Sequence, residues 1–247
     1  MNNNIELSII LPTYNEKDNI LDVLTELEKH IKVSYEAIVV DDDSPDKTWE
    51  LVAHYAETHP NVKLLHRTRD RGLTSAINAG LKLAQGRLLM WMDVDLSMPP
   101  HRIPALLKAI EDGADVAVGS RYVLGGGDAR AVNILLTTQL LLSKVLSILG
   151  GWMLGCKFRD WSSGFIVLKR EFLAEYDLKG DYGEYFISLI YYLFKTKKAN
   201  IIEIPYVLTP RIHGESKTAT NFLGFFKRGH KYLRVIWQLK YAPVVKA

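Results

Sequence analysis

"MWMDVDLSMPP", residues 90–100, is an apolar stretch that ends in two acids one residue apart, Asp93 and Asp95, followed by Pro99 and Pro100. Successive side chains of a strand point to opposite faces. The two carboxylates therefore approach one point only if the strand breaks into a turn there. Two like charges sharing a point repel unless a cation or a proton intervenes. Carboxylates together with phosphate oxygens suit Mg²⁺ or Mn²⁺. The acids thus predict a metal, and the metal predicts a ligand that carries phosphate.

The segments on either side repeat one pattern. "ELSIILPTY" (6–14) reads as a buried strand, and "NILDVLTELEKHI" (19–31) places Ile20, Val23, Leu24, Leu27 and Ile31 on one helical face. "YEAIVVDDDS" (35–44) is a second strand that stops in acids. Ser44 then reads as a helix N-cap, with Pro45 at the first helical position. "NVKLLHR" (61–67) is a third strand, and "GLTSAINAGLKLAQG" (72–86) a helix closed by Gly86. "RLLMWMD", "HRIPALLKAIEDG" and "ADVAVGSRY" continue as strand, helix and strand. Such alternation predicts an α/β fold, a mostly parallel sheet with helices on both faces. Ligands bind such sheets at the carboxyl ends of the strands. There this chain carries Tyr14, Asn15 and Glu16, then Asp41 to Asp43, Asp93 and Asp95, and Arg121.

After about residue 128 the alternation stops. Residues 131–158 read as one long helix with a polar stripe, and a final helix runs from about 220 to 240. On the latter, Lys227, Lys231, Arg234 and Gln238 lie opposite Phe222, Phe225, Phe226, Leu233, Ile236 and Trp237. A basic face opposite an aromatic one fits a helix lying in a membrane interface. The domain reading is a catalytic unit over 1–217, with an interface helix at about 131–150, and a basic amphipathic C-terminal element over 218–247.

Composition narrows the class. The 247 residues are 48% hydrophobic and 24% charged, as in a folded globular protein, and a net charge of +3 is too small to indicate a nucleic-acid binder. The basic residues gather at the C-terminal end, where no acid follows Glu215. A single cysteine, Cys156, rules out an internal disulfide and fits a reducing compartment. "MNNNIELSII" lacks the basic start of a signal peptide, and no stretch gives the roughly 20 uninterrupted apolar residues of a spanning helix. The first strand is followed by "PTYNE" rather than a dinucleotide-binding glycine pattern, and no P-loop occurs. Scattered histidines disfavour zinc. "DDDSPDKT" could accept hydrogen bonds from a base or ribose, while Arg121, Arg130, Arg211 and Lys217 offer cations for phosphates. A metal site with several arginines and no nucleophile motif points to displacement of a nucleotide leaving group.

"ILPTYNE", "IVVDDDSPDKT", "MDVDLSMPP", "GSRY", "SSGF" and "RIHGESK" occur in the order of the family-2 glycosyltransferases of GT-A fold. More narrowly, the chain resembles the dolichol- or polyprenol-phosphate mannosyltransferases over nearly its whole length. The resemblance implies inverting transfer of mannose from GDP-mannose to dolichyl or another polyprenyl phosphate. The product would be a β-linked mannosyl phosphate for glycan assembly. It places the enzyme peripherally on the cytoplasmic face of the cell membrane or endoplasmic reticulum; the two amphipathic helices favour docking on lipid alone, with a small membrane subunit as the alternative. Carried over by motif, Pro12, Tyr14, Glu16, Val40 and Asp42 hold the nucleoside. Asp93, Val94 and Asp95 sit at the diphosphate, and Asp93, Asp95 and Ser97 surround Mg²⁺ or Mn²⁺. Arg121, Arg211 and Lys217 clamp donor phosphates, Arg130 meets the acceptor phosphate, and Asp95, Arg121 and Arg130 take the catalytic positions. The family's usual serine after that arginine is absent, with Asn133 and Ile134 in its place. A glucosyltransferase using UDP-glucose and the same lipid shares the metal site. A non-catalytic nucleotide-sugar-binding membrane subunit would have no need to keep all four of Asp93, Asp95, Arg121 and Arg211.

Overall fold

A computed structural model describes residues 5–130, 134–211 and 222–241. Lys217 and His213 lie outside the described residues, as does Asn133. The order is β1 (Leu7–Thr13), α1 (Ile20–His30), β2 (Tyr35–Asp41), α2 (Thr48–Ala56), β3 (Val62–His66), α3 (Leu73–Leu83), β4 (Leu88–Trp91) and α4 (Ile103–Glu111). There follow β5 (Val116–Ser120), β6 (Gly127–Asp128), α5 (Ile134–Leu154), β7 (Ile166–Lys169), α6 (Tyr185–Lys195), β8 (Ile201–Pro205), β9 (Val207–Leu208) and α7 (Phe222–Tyr241).

Seven strands form one sheet in the order β3-β2-β1-β4-β7-β5-β8, and β6 pairs with β9 beside it. All neighbours in the large sheet run parallel except β7, which is antiparallel to both β4 and β5. The two-residue period of the strands divides the core. Ile9, Val39, Met90 and Val167 face α1 and α4, whereas Ile10, Val40, Trp91 and Ile166 face α3 and α6. Helix α3 lies so close to the sheet that a Cβ on Gly80 would stand 2.6 Å from Ile10.

Two helix ends differ from the sequence expectation. Helix α2 begins at Thr48, not near Ser44. The Ser44 hydroxyl turns back to donate to Asp41 Oδ2 at 2.6 Å, and Asp46 accepts the Thr48 N–H at 2.9 Å. Likewise α3 stops at Leu83, before Gly86. The N–H groups of Gln85 and Gly86 are captured by Glu36 Oε1 (2.6 Å) and Ser8 Oγ (2.7 Å), which draws the chain out of the helix early.

Helices α5 and α7 pack against one another. Along α5, Leu141, Val145, Ile148 and Trp152 recur at spacings of four, three and four and are exposed. On α7 the apolar residues split: Ile236 enters the core, whereas Leu233, Trp237 and Tyr241 stay exposed. The Lys240 ammonium lies 5.3 Å from the Trp152 ring centre and joins the two exposed strips. Among the described residues, no helix is long and apolar enough to cross a membrane.

Candidate active site

The parallel strands β1, β2 and β4 end on one edge, and there the chain opens into a cavity of about 730 Å³. That volume suits a nucleotide-sized ligand. Pro12, Tyr14, Glu16, Asp42, Asp93, Val94, Asp95, Ser97, Arg121, Arg130 and Arg211 all line it. Val40 does not: it is fully buried in the sheet beside Pro12.

The "MDVDLS" strand breaks as its acids require. Strand β4 ends at Trp91, and Leu96 adopts a left-handed φ of 59°. That turn lets the Ser97 N–H donate to Asp95 Oδ1 at 3.0 Å while Asp93 faces the same cavity. Enclosure by protein, more than the neighbouring Asp95 charge, pushes the Asp93 carboxyl up to about 7. Water still reaches Asp93 through the cavity. An acid pair held in this way fits a divalent cation, which removes the repulsion that raises Asp93. Among the described residues no third acid, histidine or cysteine completes a cage, so phosphate oxygens and water would supply the remaining ligands.

The three acids after β2 take three roles. Asp41 is fully buried and holds Ser44 and Thr13, fixing the turn. Asp42 accepts from Arg67 Nε at 2.8 Å and from the Gly72 N–H at 2.7 Å, so its carboxylate is oriented before any ligand arrives. Asp43 pairs with His66 at 3.0 Å and with Arg71, outside the cavity floor.

Three arginines share the cavity with these acids. Arg211 bridges Glu16 (2.6 Å) and Asp95 (3.1 Å). Arg121 is buried and takes both oxygens of Asp160, at 2.8 and 2.6 Å, and reaches Ser162 Oγ at 2.8 Å. Arg130 pairs with Asp128 at 2.6 Å. Asp160 is itself positioned by Glu203, which accepts the N–H groups of Arg159 and Asp160 at 3.0 and 3.1 Å. The sequence reading missed Asp160, Ser162, Ser163, Asp128 and Tyr206. Of these, only the serines lay in a motif already quoted, "SSGF".

Comparison with known proteins bears on the family and the fold. The family model described as glycosyl transferase family 2 matches residues 8–176. The dolichol-phosphate mannosyltransferase of Pyrococcus furiosus is 36% identical over 246 residues, which is 98% of this chain and 67% of that protein. Among solved structures, glucosyl-3-phosphoglycerate synthase from Mycobacterium tuberculosis, with Mn²⁺, UDP and product bound, superposes with a TM-score of 0.70. It is 18% identical and covers 98% of this chain and 82% of its own. A mannosyltransferase from Pyrobaculum calidifontis, in complex with GDP-mannose and Mn²⁺, gives 0.59 at 19% identity, covering 98% and 71%. These likenesses support the GT-A architecture of the sheet.

Proposed function

The chain belongs to glycosyl transferase family 2, and from that we propose that it transfers mannose from GDP-mannose to dolichyl or another polyprenyl phosphate with inversion. The observation that carries this reading is the gathering of Asp93 and Asp95 with Arg211, Arg121 and Arg130 around one cavity at the strand ends. Its support from relatives is the mannosyltransferase of Pyrococcus furiosus, named for action on dolichol phosphate.

Asp93 and Asp95, with Ser97 adjacent, would hold Mg²⁺ or Mn²⁺ against the donor. When bound, the cation supplies positive charge to the departing diphosphate. Arg211 stands between the Glu16 and Asp95 sides, where it can follow the donor phosphates. Lys217 is assigned the same duty. Pro12, Tyr14, Glu16 and Asp42 form the nucleoside wall. Arg121 joins Arg211 on the donor phosphates and Arg130 is assigned to the acceptor phosphate, and all three line the cavity. A phosphate monoester has a second pKa of about 6, so the nucleophile is already largely ionised near neutral pH and needs no general base. One displacement at the anomeric carbon then converts an α-linked donor to a β-linked product.

The exposed Leu141, Val145, Ile148 and Trp152 of α5, beside Trp237, Tyr241 and Lys240 of α7, support peripheral docking on a cytoplasmic membrane face. The basic segment 218–247 serves as the interface element, and the chain docks on lipid without a separate membrane subunit. The test is transfer of radiolabel into an organic-extractable lipid. Purified protein receives GDP-mannose or UDP-glucose, polyprenyl phosphate and Mg²⁺ or Mn²⁺, beside an Asp95→Ala control. Lipid-bound mannose that disappears in the control is the expected result. Label from UDP-glucose alone rejects the donor assignment, and label from neither rejects the lipid acceptor.

A further inference from the structure

One cavity side chain has no part in the reaction as described. Tyr206, between β8 and β9, lines the cavity and is 2% exposed. Its ring packs edge-on against Phe165, with centroids 5.4 Å apart. Its main chain is fixed on both sides: the N–H donates to Ser120 O and the carbonyl accepts from Gly127 N, each at 3.1 Å. Gly119 makes room for the ring, since a Cβ there would stand 3.1 Å from it. The phenol is thus held in place by neighbours that cannot all move at once.

The Tyr206 hydroxyl is buried and meets no hydrogen-bond partner among the described residues. Ser163 is its hydroxyl neighbour, but that hydroxyl is turned to give its proton to Gly119 O and to accept the Phe165 N–H at 3.2 Å, and it stands outside hydrogen-bond geometry to the phenol. Buried polar groups are nearly always paired, and an orphan calls for an explanation. The charges around it are Arg121, Asp160 and Asp93. Burial pushes its titration up, so the group keeps its proton near neutral pH and acts as a donor. A fixed donor next to Arg121, in a cavity that also holds Arg130, is matched by an anionic oxygen.

We propose that the Tyr206 hydroxyl donates a hydrogen bond to a phosphate oxygen of bound substrate, as a further binding residue of the transfer reaction. The proposal rests on the phosphate-bearing substrates assigned above. Two sources share that chemistry, the monophosphate of the acceptor and the diphosphate of the donor.

Tyr206→Phe removes the oxygen and keeps the ring. Calorimetric titration of the full chain with GDP plus Mg²⁺, and separately with a short water-soluble isoprenyl monophosphate, distinguishes the two sources. A loss of about 10- to 100-fold in affinity for one ligand, with the other unchanged, is expected for a hydrogen bond to a charged group. The ligand that weakens identifies the phosphate. In the ligand-free protein, Tyr206→Phe should melt no lower than wild type, because the orphan hydroxyl contributes nothing there. Unchanged affinity for both ligands overturns the proposal, as does a lowered melting temperature with unchanged binding. A wild-type chain that binds neither ligand fails the functional reading itself, and the proposal with it.

Discussion

Arg121 and Asp160 meet through two parallel hydrogen bonds, Nε to Oδ2 at 2.8 Å and Nη2 to Oδ1 at 2.6 Å, with Asp160 fully buried. Removing one partner of such a pair leaves an uncompensated buried charge. Asp160→Asn should therefore lower unfolding stability by about 3–5 kcal/mol. Urea denaturation followed by fluorescence measures it, and transfer activity should fall with it because Arg121 loses its fixed orientation.

The Asp93 carboxyl gives the cation-free protein a pH signature. Its titration in the folded state is raised to about 7 from an ordinary value of 3.8. The folded state thus binds the proton more tightly than the unfolded chain, and stability falls as pH rises between those values, then levels off. Asp93→Asn should flatten that decline. Adding Mg²⁺ at pH 8 should raise the melting temperature of the wild type and leave Asp93→Asn nearly unmoved. Thermal scans at pH 5, 6, 7 and 8 decide it.

Gly86 provides a packing test. Its Cα approaches β1 so closely that an added Cβ would stand 2.5 Å from the Ser8 backbone nitrogen. Backbone cannot yield as a flexible side chain does, so Gly86→Ala should cost about 1–3 kcal/mol. A control at Gly180 would fail through its positive φ instead. Thermal melts of Gly86→Ala against wild type read the effect directly.

Membrane docking predicts a separable phenotype. Ile148 and Trp152 project from α5 into solvent. Burying an apolar side chain contributes roughly 1.5–3 kcal/mol, and each 1.4 kcal/mol is tenfold in an equilibrium. Ile148→Glu with Trp152→Glu should reduce cosedimentation with anionic vesicles by at least about 100-fold. Calorimetric affinity for GDP plus Mg²⁺ should stay unchanged, because neither residue lines the cavity.

The acid edge of the cavity was readable because it is local. Strand ends carry Tyr14, Glu16, Asp42, Asp93 and Asp95, and hydrophobic periodicity alone located those ends. The arginine wall was readable only as a set of cations, since nothing near Arg121 in sequence names Asp160 as its partner, 39 residues away. Nor does "FIVLK" announce that it enters the sheet antiparallel between β4 and β5. Its apolar run fits either direction. Ser44 and Gly86 misled because both carry the right residue type for a helix end, while Asp41, three residues before Ser44, and Ser8, on the neighbouring strand β1, claimed them first. Val40 shares a face with its register partner Pro12 but lies under α3, where a Cβ on Gly80 would stand 3.1 Å from it, a tertiary cover that the motif does not encode.

The Arg211–Glu16 bond joins residues 195 positions apart. Contacts of such separation require the longest loops to close, and chains rich in them fold more slowly. Strands β1, β2 and β4 all come from the first hundred residues and can pair while the rest is still being synthesised. The guanidinium that bridges their acids arrives only after β8 and β9 have been made. A nascent chain therefore presents Glu16 and Asp95 without that counter-ion until Arg211 has been made, so the acid edge of the cavity is built before the charge that neutralises it.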